Sequence, residues 1–194
     1  MKHSVTAYNT KKLLADALKK AMKSKPFSKI TVSELIRECG VNRKTFYYHF
    51  QDIYDLLKWM LDEEAVQVVR HFDLLTDYES AIRFVMDYTE QNDYLVSCAT
   101  DPVGREEIKR FFYQDFTDIV LSVIDGAALR TGVTPEPELK AYAARFYTNA
   151  LASMLIEWLL DRNTLDREQT ARHLTYTVGA AINGMLTQME RWRP

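Results

Sequence analysis

Hydrophobic residues recur at spacings of three and four along most of the chain, the pattern of helices that bury one face. The first run spans Thr6 to Lys23, with Leu13, Leu14, Ala17, Leu18 and Ala21 as its buried stripe. Pro26 disfavours helix at Lys25 and closes the run. Thr31 and Glu34 then form a capping box ahead of Val32, Leu35 and Ile36. Gly40 stands where a helix end favours positive φ, and Asn42 caps a short helix carrying Phe46 and Phe50. Asp52 caps a longer helix to about residue 75, with Ile53, Leu56, Leu57, Met60 and Leu61 on one face. Leu75-Thr76-Asp77 reads as a break.

Residues 78–91 predict the next helix, with Ala81, Ile82, Val85, Met86 and Thr89 together. Asp101-Pro102-Val103-Gly104 reads as a turn. From Arg105 to Arg130 the period is regular through Ile108, Phe111, Phe112, Phe116, Val120 and Ile124. Thr134 to Pro137 starts a helix running to about Leu160, with Leu139, Tyr142, Phe146, Tyr147, Leu151, Met154, Leu155 and Trp158 as the expected inner stripe. Residues 161–165 read as a loop, and Asp166 caps a last helix through Leu174, Val178, Ile182 and Met185. No strand-like alternation or internal repeat interrupts the pattern. The expectation is an all-α protein of about nine helices, divided into residues 1–51 and a larger helical body, 52–194.

With 194 residues, 47% of them hydrophobic, the chain can fill a core. No apolar run approaches the roughly 20 residues of a membrane span, and the first residues lack an apolar leader. Both point to a cytoplasmic protein with no membrane partner, in which Cys39 and Cys98 are reduced, buried thiols. The net charge of −2 conceals a split. Residues 1–60 hold 12 Lys and Arg against 5 Asp and Glu, a net of +7, whereas residues 61–194 hold 13 against 22, a net of −9. Only the N-terminal part suits a polyanion. His3, His49, His71 and His173 are isolated, without metal-ligand spacing, and neither a phosphate loop nor a nucleophile motif occurs. Catalysis, a metal and a cofactor are therefore not expected.

The stretch from Thr31 to Phe50 carries the main functional signal. Two short helices flank a Gly turn, and the second bears Arg43, Lys44, Thr45, Tyr47, Tyr48 and His49 around the Phe46–Phe50 face. Such a helix suits a DNA major groove. With Ile30-Thr31-Val32, Gly40-Val41-Asn42, Thr45 to Phe50 and Leu56-Leu57, the stretch resembles the DNA-binding domain of TetR-type transcriptional regulators. The continuation Phe-Tyr-Tyr-His-Phe-Gln-Asp-Ile-Tyr-Asp-Leu-Leu-Lys-Trp is similar to a subgroup that includes the regulator of dihydroxyacetone kinase operons.

The resemblance implies that Asn42, Arg43, Lys44, Thr45, Tyr47, Tyr48 and His49 face double-stranded DNA. Lys44 and Thr45 would read bases, while Tyr48 and His49 would position phosphates. Thr31, at a helix N-terminus, is a further phosphate candidate. Two positions depart from the family pattern: Lys44 stands where many relatives have Gly, and Ile53 where they often have Lys. The resemblance also implies a small-molecule effector pocket in the body. Phe84, Tyr88, Phe112, Phe116, Tyr147 and Trp158 are its candidate walls, and His71, Asn92, Cys98 and Asn149 its candidate polar groups. Small residues on the last two helices, among them Ala143, Ala144, Ala150, Ala152, Ser153, Gly179, Ala180, Ala181 and Gly184, suggest a homodimer through these helices on a palindromic operator. The expected protein is a repressor. The alternatives are an activator or coactivator-dependent regulator of the same fold, and an adaptor that has lost DNA binding.

Overall fold

A computed structural model describes residues 2–72, 77–161 and 166–191. Nine helices and no strand occur among them: α1 (Lys2–Met22), α2 (Val32–Cys39), α3 (Arg43–His49), α4 (Ile53–Leu61), α5 (Tyr78–Gln91), α6 (Asp93–Thr100), α7 (Pro102–Thr131), α8 (Pro137–Asp161) and α9 (Arg167–Arg191). A 3-10 turn, Phe27–Lys29, precedes α2, and α4 continues through a π-helical turn, Asp62–Val66, into a last turn at Gln67–Val69.

The buried side chains form one continuous cluster. It begins in a small head, where Leu14 and Leu18 of α1 meet Leu35, Phe46, Phe50, Leu56 and Met60. It continues into a body built on the long antiparallel pair α7 and α8, which α5, α6 and α9 cover. α4 belongs to both parts, since Leu56 and Met60 complete the head's core and Val66 and Val69 enter the body's. Helix ends follow the residues expected to cap them. Thr31 and Glu34 complete the capping box, and Asn42, Asp52 and Asp166 accept from Thr45, Asp55 and Gln169 backbone amides.

The structure differs from the sequence reading in four places. α1 begins at Lys2, and its stripe is rotated: Leu13 is 53% exposed while Ala15 is buried. α4, with its continuation through the π turn, reaches only Val69. α7 begins at Pro102 rather than after the expected turn. Asp101 caps it through Val103 N (2.8 Å), and proline suits the first helical position because no amide is needed there. In α8, Tyr142, Phe146 and Met154 point to the surface, while Ala143, Ala144 and Ala152 are buried. The expected break at Leu75-Thr76 and the loop at residues 162–165 lie outside the described residues.

Gly104 explains how α6 and α7 come so close. A Cβ on it would stand 2.3 Å from the Cys98 carbonyl oxygen and 2.7 Å from Cys98 Sγ. Cys98 is fully buried there, and burial first, then Asp101 and Glu107, push its thiol pKa up to about 12. Cys39 is instead half-exposed, with its thiol donating to the Leu13 carbonyl.

Candidate functional site

α2 and α3 meet at a turn whose Gly40 has φ 65°, a left-handed conformation that glycine adopts without Cβ strain. Its amide bonds back to the end of α2, and Asn42 Oδ1 then accepts from both Thr45 N (2.8 Å) and Thr45 Oγ1 (3.0 Å). Phe46 and Phe50 are buried and fix α3 on the head's core. That anchoring presents the opposite face of α3 outward. Asn42, Arg43, Lys44, Tyr47 and Tyr48 are exposed, Tyr48 to 82%. Arg43 lies over the Tyr47 ring at 5.6 Å, with a 3.4 Å bond to its hydroxyl, so the two extend as a pair.

The remaining predicted residues sit differently. Thr45 is half-buried, and its hydroxyl is engaged by Asn42. His49 is half-buried. Burial, then the nearby Lys11 ammonium, lower its pKa, so a neutral imidazole is presented at pH 7. Thr31 uses its amide and hydroxyl within the capping box. Glu34 is held there by Lys25 Nζ at 2.5 Å and by Thr31, which together bring its pKa down to about 2. Ile53, the departure from the family pattern, packs against the core where a lysine would reach outward.

Several lysines of the head are also committed. Lys20 pairs with Glu38 at 2.5 Å. Lys11 lies 5.5 Å from the Phe50 ring centre and 5.3 Å from that of Trp59. Lys44 makes no hydrogen bond or ion pair among the described residues, so its ammonium is available to a phosphate or base edge.

Two polar junctions join head and body, and the sequence reading named neither. In the first, Lys19 of α1 pairs with Glu64 in the π turn. Glu64 also accepts from Tyr88 OH at 2.8 Å. Tyr88 OH is 2.6 Å from Tyr94 OH, and since its own proton goes to Glu64, Tyr94 is the donor. Burial, then the neighbouring Tyr94, raise the Tyr88 pKa far above its ordinary value. Burial likewise raises that of Tyr94. In the second junction, Ser28 N and Oγ donate to Asp101 Oδ2 at 3.0 and 2.6 Å.

The body contains a cavity of about 110 Å³ among α5, α7, α8 and α9, with Val69 at the end of α4 among its lining residues. Phe112 and Phe116 line it; Phe84, Tyr88, Tyr147 and Trp158 are not among its lining residues. Tyr88 is held in the junction with Glu64, Phe84 stacks on Tyr88 with ring centres 6.4 Å apart, and Trp158 is buried elsewhere in the core. None of His71, Asn92, Cys98 and Asn149 lines it either. Its polar side chains are Thr148 and Tyr78. Thr148 was legible in principle, because it continues the buried four-three spacing of Ala144, Ala152 and Leu155. No helix among the described residues is long and apolar enough to cross a membrane. No group of three or more His, Cys, Asp or Glu among them could hold a metal ion.

Comparison with known proteins agrees with this arrangement. A family model described as "Bacterial regulatory proteins, tetR family" matches residues 14–60, and one described as "Transcriptional regulator C-terminal region" matches residues 76–179. The chain is similar to the HTH-type dhaKLM operon transcriptional activator DhaS of Lactococcus lactis subsp. lactis (strain IL1403), at 21% identity over 81% of this chain and 83% of that protein. A solved structure of the dihydroxyacetone kinase operon activator DhaS shares the fold, with a TM-score of 0.66 at 18% identity over 89% of this chain and 96% of that one. So does a TetR transcriptional regulator from Streptococcus agalactiae 2603V, with a TM-score of 0.58 at 22% identity over 92% and 98% of the two chains. One family model covers the helix-turn-helix and the other more than half of the chain: the protein belongs to the TetR family of transcriptional regulators and is not an enzyme.

Proposed function

We propose that the protein binds a palindromic operator as a homodimer, reading one half-site with each α3, and that a small ligand in the body sets its affinity for DNA. The observation that carries this reading is the exposed set Arg43, Lys44, Tyr47 and Tyr48, held outward by buried Phe46 and Phe50. Lys44 and Tyr47 reach base edges, while Arg43, Tyr48 and neutral His49 act on phosphates. Thr31 serves chiefly as a cap and Thr45 as the donor to the cap Asn42, and phosphate contact by either would draw on groups already bonded. The head ends at residue 51 and the body begins at residue 52, with α4 as the hinge element.

An uncovered face supports the dimer. Tyr142, Phe146, Ala150 and Met154 recur every four residues on the exposed side of α8, and Tyr176, Ala180 and Gly184 do so on α9. A Cβ on Gly184 would meet nothing within 4 Å, which leaves its backbone open to a second helix. Two-fold pairing there must set the recognition helices about 34–36 Å apart, one turn of DNA, for both half-sites to be read. For coupling, the cavity touches Val69, which lies just beyond the π turn that carries Glu64. A ligand that moves Val69 acts through Glu64 on Lys19 in the head.

Repression by occupying a promoter is the first reading of the output. Activation is the second, and the name of the Lactococcus relative favours it. Either role belongs in the cytoplasm, where the chromosome is. An adaptor without DNA binding does not account for the exposed basic and aromatic face of α3. Selection of bound fragments from the source genome, followed by gel shifts across a salt series, tests the reading. A specific band that weakens steeply with salt is expected; retention of no fragment above background would overturn it.

A further inference from the structure

The cavity's chemistry narrows what can occupy it. Apart from Thr148 and Tyr78, every lining side chain is aliphatic, methionine or phenylalanine. The Tyr78 hydroxyl is turned away to the Thr175 carbonyl at 3.4 Å. Thr148 is different. It is 1% exposed, and its Oγ1 has no hydrogen-bond partner among the described residues. Thr117, Thr131 and Thr187 of these helices instead bond their hydroxyls to the carbonyl one turn back. Thr175 Oγ1 and Trp158 Nε1 also lack partners, but neither residue lines the cavity. A buried hydroxyl without a partner is unfavourable, and one facing an apolar cavity is satisfied by whatever enters.

We infer that this cavity takes a compact, largely apolar molecule carrying a single hydroxyl or carbonyl, which bonds to Thr148. The size sets the limit: an apolar cavity of roughly 150 Å³ admits benzene, so about 110 Å³ takes a short branched chain as it stands and a single small ring once its walls give slightly. A polyol is excluded on energetic grounds, since each hydroxyl beyond the first would be desolvated with nothing to bond. Thr148 supplies direction and discrimination, and the hydrocarbon walls supply most of the binding free energy. The inference rests on the ligand-responsive reading proposed above.

Thermal melts and calorimetry on the full chain with phenol, toluene and glycerol test it. Phenol is expected to raise the melting temperature and to bind roughly fivefold more tightly than toluene, the worth of one neutral hydrogen bond. Glycerol is expected to do nothing. Thr148→Val, which keeps the shape and removes the hydroxyl, should melt at or above the wild type and bind phenol more weakly than toluene, because the phenol hydroxyl then has no partner. Thr148→Ser should keep the preference for phenol. Stabilisation by glycerol above that by phenol, or an undiminished phenol preference in Thr148→Val, would overturn the assignment. Gel shifts on the same samples separate the two levels. Operator binding with no response to phenol or toluene sinks only the ligand class, whereas a chain that binds no operator sinks the regulator reading beneath it.

Discussion

Ser28 in the head and Asp101 in the body are joined through one carboxylate oxygen, which accepts from both the Ser28 amide and the Ser28 hydroxyl. The other oxygen of Asp101 caps α7 through Val103 N and Gly104 N. One carboxylate thus starts the longest helix of the body and holds the head against it.

Asp101→Ala is expected to lose both functions, at about 2–3 kcal/mol, and Ser28→Ala about 1 kcal/mol. Burial opposes the charge of Asp101, but the bonds from Ser28, Val103 and Gly104 outweigh it and leave its pKa below the ordinary value. A lowered pKa stabilises the fold above the unfolded-state pKa of about 3.9 and stops doing so as pH falls through the folded value. The wild-type advantage over Asp101→Asn should therefore persist from pH 7 to 5 and shrink below 4. Melts across that range decide the matter, and an advantage unchanged at pH 3 contradicts the ionised bridge.

The Tyr94–Tyr88–Glu64 chain predicts a response in alkali. Both tyrosines have raised pKa values, so the fold keeps them neutral at a pH where the unfolded chain ionises. Stability is full below about pH 10 and declines as pH rises beyond it, by about 1.4 kcal/mol per pH unit for each such group. Tyr88→Phe should melt with a shallower dependence between pH 9.5 and 11. Equal slopes for mutant and wild type would disprove the assignment.

Gly104→Ala should destabilise by about 1–3 kcal/mol, even though alanine gains about 1 kcal/mol over glycine within a helix. The added Cβ meets backbone and sulfur atoms of Cys98 that have no room to retreat. At Gly40 the added Cβ meets nothing, so Gly40→Ala pays only for its positive φ, about 1 kcal/mol. Denaturant unfolding of the two variants should rank them in that order.

Lys44→Ala and Tyr47→Ala should each weaken operator binding at least about tenfold, the worth of a base contact, with unchanged circular dichroism. Losses within twofold for both would exclude α3 as the reading helix.

Phe146→Glu, on the exposed face of α8, should give a folded monomer by light scattering at micromolar concentration. A dimer of undiminished stability would place the interface elsewhere.

The sequence made most of the helices legible, because Thr31, Asn42, Asp52 and Asp166 carry cap signals and Phe46 and Phe50 mark the buried side of α3. Less legible was anything set by two distant segments meeting. Tyr142 and Phe146 have the period of a core stripe, and only the position of α7 shows that they point away from it. Lys19 reads as one more lysine on a solvated face until Glu64 is found against it. Asp101-Pro102-Val103-Gly104 has turn composition, yet the same residues suit a capped helix start, and nothing local chooses between them.

The π turn at Asp62–Val66 settles how α4 serves two cores. Its surplus residue moves the phase of the helix. Val68, which would follow Leu61 and Ala65 on an unbroken spiral, is 38% exposed, and Val69 is buried in its place. Rewinding the turn as regular α-helix, with no residue removed, would rotate everything after it by about 100°. Val68 would swing inward and Val69 out of the cavity wall. A regular spiral here can align with one half of the molecule or the other, so the irregularity is what lets both stay dry.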